Sequence, residues 1–134
     1  MSVCALCMKD DETHDHLFFY CQLSSAIWNS LKTLMNKQMV DCKWNETINN
    51  FAEKPCNNSI WSIVRRLCLA AAVYGIWRER NSRIFSDERC THETVFGKIC
   101  DQVRSRLISL KAKSSSAISQ VEHVWNIKIR RINN

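Results

Sequence analysis

Apolar residues recur at intervals of three and four along most of the chain, which is the period of an amphipathic helix. In the first part of the chain this pattern predicts a short helix from Thr13 to Cys21 and a second helix over about 25–35, capped by Ser24. Trp44 to Ala52 predicts a further short amphipathic helix. The apolar stripe of the second helix consists of Ile27, Trp28, Leu31, Leu34 and Met35.

The second half of the chain predicts longer helices. One begins at Asn58 or Ser59 and runs to about Phe85, and its middle, 67–77, is apolar on nearly every side, so it should be the central helix. The next, about 92–112 with Thr91 as its cap, should fold back on it as an antiparallel hairpin. A last helix is expected within 118–132. The buried face of the 92–112 helix should be Phe96, Ile99, Cys100, Val103, Leu107 and Leu110.

Composition supports a helical fold. Of 134 residues, 46% are hydrophobic, whereas only two are Gly and one is Pro. Strands joined by tight turns need more of both residue types, so a mostly α fold is favoured. No apolar run approaches the roughly 20 residues of a membrane span, and no secretory leader is recognisable at the N-terminus. We therefore expect no membrane association and a location inside the cell, in the nucleus or cytoplasm.

The strongest chemical signal is the spacing Cys-x2-Cys-x8-His-x4-Cys formed by Cys4, Cys7, His16 and Cys21. Three thiols and an imidazole at such spacing suit one tetrahedral Zn²⁺ ion. The protein would fill all four ligand positions, leaving none for water or substrate. Such a site is structural rather than catalytic.

Three other interpretations of these residues stay open. His14 is a rival to His16, although the apolar stretch after His16 favours that ring for burial. Cys4 and Cys7 are alternatively interpreted as a redox dithiol, for which the sequence lacks the usual βαβ context. Finally, the cysteines could be buried thiols of a reduced protein, as Cys68 and Cys100 are expected to be on their apolar helical stripes.

The metal pattern and the helix pattern together divide the chain into three parts. We expect a zinc-knuckle segment with its following helix at 1–40, a short helix and linker at 41–58, and a basic helical hairpin region at 59–134. The fold class is therefore mostly α, with a small zinc knuckle followed by an antiparallel helical bundle or hairpin.

Charge is distributed unevenly between these parts. Residues 1–58 carry five Lys or Arg against seven Asp or Glu, whereas residues 59–134 carry fourteen against six. The basic part is the candidate for contact with phosphate, to which arginine donates paired hydrogen bonds. Arg78, Arg80 and Arg83 cluster where the long helix should leave the core, and we expect their side chains to reach solvent there as a basic tip.

Two stretches resemble one known family. Cys4 to Cys7, the run 11–21 (DETHDHLFFYC) and the run 25–28 (SAIW) resemble the zinc-binding domain that follows the reverse transcriptase domain in plant non-LTR (LINE-type) retrotransposon polyproteins. The run 72–85 (AVYGIWRERNSRIF) is similar to the helix after that domain. The resemblance implies a non-catalytic zinc module that assists binding of RNA or DNA, weakly and without sequence specificity, within such a polyprotein.

We expect the acidic residues to be scattered on the surfaces of the helices, and the sequence has no glycine-rich phosphate loop. We therefore expect no polymerase or nuclease activity. Two alternatives to the nucleic-acid module stand beside it. One is a helical protein-interaction module in which zinc only staples the fold, and the other is a truncated retroelement remnant with no selected function.

Overall fold

Helices dominate the computed structural model, which describes residues 2–35 and 59–132. The four α-helices of this part of the chain are α1 (Gln22–Leu34), α2 (Ile60–Asn81), α3 (His92–Ile108) and α4 (Ser116–Trp125). A π-helical turn, His16–Tyr20, precedes α1, and another, Ser82–Ser86, extends α2. The mostly α fold class is confirmed.

Hydroxyl caps begin three of the helices. The Ser59 side chain accepts a hydrogen bond from Ser62 N–H at the start of α2, and Thr91 does the same for Thr94 at the start of α3, as expected. Ser115 caps α4. The expected start of α1 is wrong, because α1 begins directly after Cys21 and Ser24 lies inside it, donating its hydroxyl proton to the Cys21 carbonyl at 3.1 Å.

Two helices end earlier than their patterns predict. The third helix stops at Ile108 instead of 112, and the fourth stops at Trp125 instead of 132 because Asn126 adopts the left-handed conformation that commonly ends helices. The residues beyond each end form short strands, β1 (Lys111–Ala112) and β2 (Arg130–Arg131), which pair in parallel. Neither strand was predicted from the sequence.

Close approach of α2 and α3 builds the predicted antiparallel hairpin. Gly75 of α2 lies against Val95 and Ile99 near the start of α3, and Leu67 lines the same groove as Arg106 near its end. A Cβ atom at Gly75 would lie 2.9 Å from the Ile99 Cγ1 atom, which is too short for an ordinary contact. The absence of a side chain at Gly75 therefore allows this helix spacing.

One hydrophobic core joins the first part of the chain to the helices of the second. It includes Cys4, Cys21 and the α1 residues Ile27, Trp28 and Leu31 together with residues of α2, α3 and α4. Trp125 at the end of α4 is fully buried, and its indole N–H donates to the Leu34 carbonyl at 2.9 Å. Because this N–H has a hydrogen-bond partner, burial of the indole ring leaves no polar group of Trp125 unpaired.

The central helix is unusually apolar. With its π-helical extension it covers Ile60–Ser86, 27 residues, and by length and composition alone it could cross a membrane. Only this helix passes that test within the described ranges, and it corrects the expectation that no apolar stretch approaches a span. It contacts α1, α3 and α4. A core helix of a soluble protein passes the same test, so this composition is weak evidence for a membrane.

Part of the sequence-based prediction falls outside residues 2–35 and 59–132. The helix Trp44–Ala52 and the linker within 41–58 lie there, as do Cys42 and Cys56.

The two glycines provide a matched test of the helix packing. Gly97 of α3 has open space where its Cβ would be, so Gly97→Ala should stabilise the protein by about 0.5–1 kcal/mol through helix propensity. Gly75→Ala gains the same propensity but must displace Ile99, so we expect a net destabilisation of about 1 kcal/mol. Urea unfolding of both variants measures the difference. Equal stabilisation by both would contradict the close α2–α3 approach.

Candidate metal centre

The structure brings Cys4, Cys7, His16 and Cys21 together. No two of their ligand atoms lie more than 4.8 Å apart. The Cys4 and Cys21 sulfurs are separated by 3.9 Å, and the Cys7 sulfur lies 3.3 Å from the His16 Nε2 atom. Two sulfurs bound at about 2.3 Å to a tetrahedral zinc are about 3.8 Å apart. The 3.9 Å separation of the Cys4 and Cys21 sulfurs is therefore close to the distance between two sulfur ligands of a tetrahedral zinc ion.

A tight knuckle holds the first two thiols. The Leu6 N–H points at the Cys4 sulfur at 3.4 Å, and the Met8 N–H donates to the Cys4 carbonyl at 2.8 Å. Met8 closes this turn in the left-handed conformation, with φ 59°. Pairing of Val3 with Asp11, together with a Cys4 N–H bond to the Asp10 carbonyl at 2.8 Å, ties the ends of the loop.

The π-helical turn aligns the other two ligands. In an α-helix, residues five apart point about 140° away from each other. Here Cys21 N–H bonds to His16 O at 2.6 Å, closing the wider i to i+5 turn that brings the two side chains to one face. Thr13 supports its start by accepting a hydrogen bond from the His16 N–H at 3.0 Å. The Cys21 residue then serves as the N-cap of α1.

The two ring nitrogens of His16 have different surroundings. Nε2 faces the Cys7 sulfur, whereas Nδ1 lies 4.0 Å from the Asp10 carboxylate. A carboxylate beyond a metal-bound imidazole is a common orienting partner. His14 is exposed, lies outside the cluster and has its ring near Phe18. Between the two rival histidines, only His16 joins the thiols.

The thiols differ in their electrostatics. Burial raises the pKa of Cys7, but the backbone N–H groups of Asp10 and Lys9 and the His16 ring outweigh burial and lower this pKa to about 6. Burial, and to a smaller extent the neighbouring Cys4 and Cys7 sulfurs, raise the pKa of Cys21 to about 12. A divalent cation would relieve the repulsion among adjacent thiolates.

The donor set fits zinc. Three sulfurs and one imidazole nitrogen within 4.8 Å of one another suit Zn²⁺, and all four positions would be filled by protein. The cysteines in the described part of the chain are free thiols, so no disulfide competes for the cluster there. A dithiol formed by Cys4 and Cys7 alone would not need His16 and Cys21 beside it.

The three arginines of the expected basic tip have different environments. Arg78 is exposed and lies over the Tyr74 ring. Arg80 instead forms a two-pronged ion pair with Glu12, both hydrogen bonds being 2.8 Å long. Arg83 pairs with Glu79 at 2.7 Å, and its side chain is only 10% exposed. The expectation that all three reach solvent is therefore wrong for Arg80 and Arg83, because carboxylates on the protein itself hold them.

Sequence reasoning missed the acidic partners at this site. Glu79 was expected on a helix surface, yet it is buried. Glu12 and Asp10 received no role. Their one visible signal is position: Glu12 and Asp10 lie between the ligands Cys7 and His16, and Glu79 precedes Arg83 by one helical turn.

Comparison with known proteins adds no assignment. No family model, curated protein sequence or solved structure matches this chain.

The ion pair between Glu12 and Arg80 should make stability depend on pH. Hydrogen bonds from Arg80 hold the pKa of Glu12 below its ordinary value. A depressed carboxyl pKa contributes stability at neutral pH that is lost as pH falls through the folded value. Glu12→Gln should therefore cost about 1 kcal/mol at pH 7, after discounting for partial exposure, and the deficit should shrink below about pH 4. Urea unfolding at several pH values measures this.

The exposed Glu88 gives the matched control. Glu88→Gln should change stability little at either pH. A deficit for Glu12→Gln that stayed constant down to pH 3 would argue against the ion pair.

Proposed function

We propose that this chain is a non-catalytic zinc-binding module that assists RNA or DNA binding. The convergence of three thiols and one imidazole carries the metal part of the proposal. Zinc bound there would be structural, because it would have no open position for a reacting molecule. It would connect the knuckle at Cys4 and Cys7 to the π-helical turn ahead of α1.

Of the three arginines that the sequence analysis assigned to phosphate contact, Arg80 and Arg83 are held in ion pairs, whereas Arg78 is exposed. Two adjoining pockets between α2 and α3 share the half-exposed Tyr74 ring and together form a groove, with Arg106 lining one pocket and Arg78 and Lys98 lining the other. Exposed cations bind phosphate, and an exposed aromatic ring can stack on an unpaired base. Glu88 and Asp101 also line this groove and offset part of its charge. Single-stranded nucleic acid is the polyanion that uses both groups.

The segment from Cys4 to Cys21, which carries the four ligands and is called the metal loop here, is a poor surface for phosphate. Zinc bound by three thiolates and a neutral imidazole carries a net charge of about −1. Exposed Asp10, Asp11 and Asp15 add negative charge around it. We therefore assign nucleic-acid contact to the groove and a structural role to the metal loop.

The setting of such a module follows from the resemblance described above. In a plant non-LTR retrotransposon polyprotein, the module would help to hold template RNA or target DNA near the reverse transcriptase, and the polyprotein would be its partner. This assignment rests on the motifs at 4–28 and 72–85.

An apolar surface favours a second candidate, the protein-interaction module. Phe85 is 79% exposed, and Val3, Met8 and Ile84 are also exposed. The last three line one shallow pocket beside the metal loop. Apolar side chains exposed together often mark a protein contact. Under this alternative, binding would depend little on salt.

Zinc content tests the metal part directly. Freshly reduced protein should contain one zinc per chain by elemental analysis, and chelation should loosen residues 2–35 because metal affinity is coupled to ordering the ligand loop. Cys7→Ser should reproduce the effect of chelation. Cys100→Ser, which alters a buried thiol of α3 outside the cluster, should keep the metal. Protein without stoichiometric zinc would refute the site.

Salt dependence tests the nucleic-acid part. The protein should bind single-stranded DNA or RNA with a dissociation constant on the order of 1–100 µM at physiological salt. Replacing Arg78, Lys98 and Arg106 together by Gln should lower the slope of log affinity against log salt by about two units, since each lost contact with single-stranded phosphate costs about 0.7. Fluorescence anisotropy with labelled oligonucleotides measures the slope.

A second triple variant controls for the loss of net charge. Lys111, Lys113 and Lys128 are exposed and lie outside the groove. Replacing them by Gln removes the same charge, but the slope should change much less. Equal changes in both triple variants would indicate that binding depends on the overall positive charge of the protein and not on the groove. Absence of salt-dependent binding in the parent would favour the interaction module.

A further inference from the structure

We propose that Arg83 is a positioning residue for the metal centre and that it couples zinc binding to the order of the connection between α2 and α3. This inference rests on the zinc site proposed above. It assigns Arg83 a role different from the phosphate contact expected from the sequence. The proposal follows from the contacts of one guanidinium group and the carboxylate beside it.

The Arg83 guanidinium contacts three separate parts of the chain. Its Nε donates to the Glu79 carboxylate at 2.7 Å, one turn earlier in the helical segment. Its Nη1 donates to the Leu6 carbonyl at 2.8 Å, inside the knuckle between Cys4 and Cys7. Its Nη2 donates to the Cys90 carbonyl at 3.1 Å, in the connection that precedes α3. A single planar group thus joins three parts of the chain: α2, the metal loop, and the connection between α2 and α3.

Glu79 fixes the orientation of that group. Its side chain is 5% exposed, and the carboxylate oxygen that accepts from Arg83 also accepts from the Cys90 N–H at 2.9 Å. A buried carboxylate needs such partners, since an unpaired charge in the interior costs several kcal/mol. Glu79 therefore favours one orientation of Arg83, in which Nη1 meets the Leu6 carbonyl.

The position of Leu6 matters for metal binding. Its N–H points at the Cys4 sulfur, and its carbonyl accepts a hydrogen bond from Arg83. Both backbone polar groups of Leu6 therefore have partners that hold them in place within the knuckle. Partners beyond the direct ligands commonly set metal affinity by orienting those ligands. Loss of Arg83 would leave the knuckle free to sample geometries in which the Cys4 and Cys7 sulfurs do not converge.

The same contacts imply coupling in the opposite direction. If Arg83 strengthens zinc binding by ordering the knuckle, zinc must stabilise the arrangement of Arg83 by the same free energy. That arrangement includes both hydrogen bonds to the Cys90 backbone. Zinc should therefore protect the Cys90 amide from hydrogen exchange, although Cys90 is not in the ligand cluster.

Arg83→Met tests the proposal because methionine keeps much of the apolar stem and removes every donor. Competition with a chromophoric chelator should show zinc affinity lowered about 10–100-fold. Cobalt substitution should still give the spectrum of a tetrahedral site with three sulfurs, because the ligands themselves are unchanged. In the parent, hydrogen exchange at Cys90 should be slower with zinc than without it, and Arg83→Met should lose that difference.

Further variants separate positioning from general destabilisation. Arg83→Lys keeps the charge beside Glu79 but cannot serve three acceptors in a plane, so its zinc affinity should be intermediate. It also keeps the test informative if Arg83→Met does not fold. Arg130→Met is the matched control, since this exposed arginine lies in β2, outside the metal cluster. The Val103 amide inside α3 is the internal exchange reference.

The outcomes distinguish this inference from the function on which it rests. A parent without zinc would remove both. Zinc affinity in Arg83→Met or Arg83→Lys equal to that of a zinc-binding parent would overturn the positioning role and leave the zinc site standing. Equal zinc-dependent protection at Cys90 and Val103 would replace local coupling by global stabilisation and would also overturn the proposal.

Discussion

A carboxylate buried on the central helix is the constraint around which this end of the molecule is organised. Glu79 has almost no contact with water, so its charge must be met by donors from the protein. The donors it receives come from Arg83 and from the Cys90 backbone. Arg83 in turn reaches the peptide between the first two thiols. The placement of the knuckle thus depends on satisfying one internal charge.

The basic residues of the second half show how little net charge says about individual roles. Backbone carbonyls or carboxylates accept hydrogen bonds from the side chains of Arg65, Arg80, Arg83, Arg104 and Arg131. Arg65 meets the Met35 carbonyl and Arg104 the Trp125 carbonyl, while Arg131 forms a two-pronged pair with Glu122. Arg80 and Arg83 complete the set. Arginine suits these positions because its planar fork can serve several acceptors at once.

The sequence predicted most of what local physics decides. The caps at Ser59 and Thr91, the central position of α2 and the choice of His16 over His14 all followed from short-range patterns. The early ends of α3 and α4 did not, because apolar residues such as Ile129 continue the helical period after Asn126 has turned the chain. Arg83 was misjudged for a different reason. Its partners Leu6 and Cys90 are brought close only by tertiary packing, which periodicity does not contain.

The end of α1, the helix that follows the ligand-bearing segment, is held by residues from distant parts of the chain. At the C-terminal end of α1, the carbonyl of Leu34 and that of the next residue, Met35, accept hydrogen bonds from Trp125 and Arg65. The contact between Trp125 and Leu34 spans 91 positions in sequence. A contact between positions so far apart in sequence requires both parts of the chain to be present and packed together. Excised as a peptide, the segment would therefore lose the partners for its helix end and the surface that covers its apolar face.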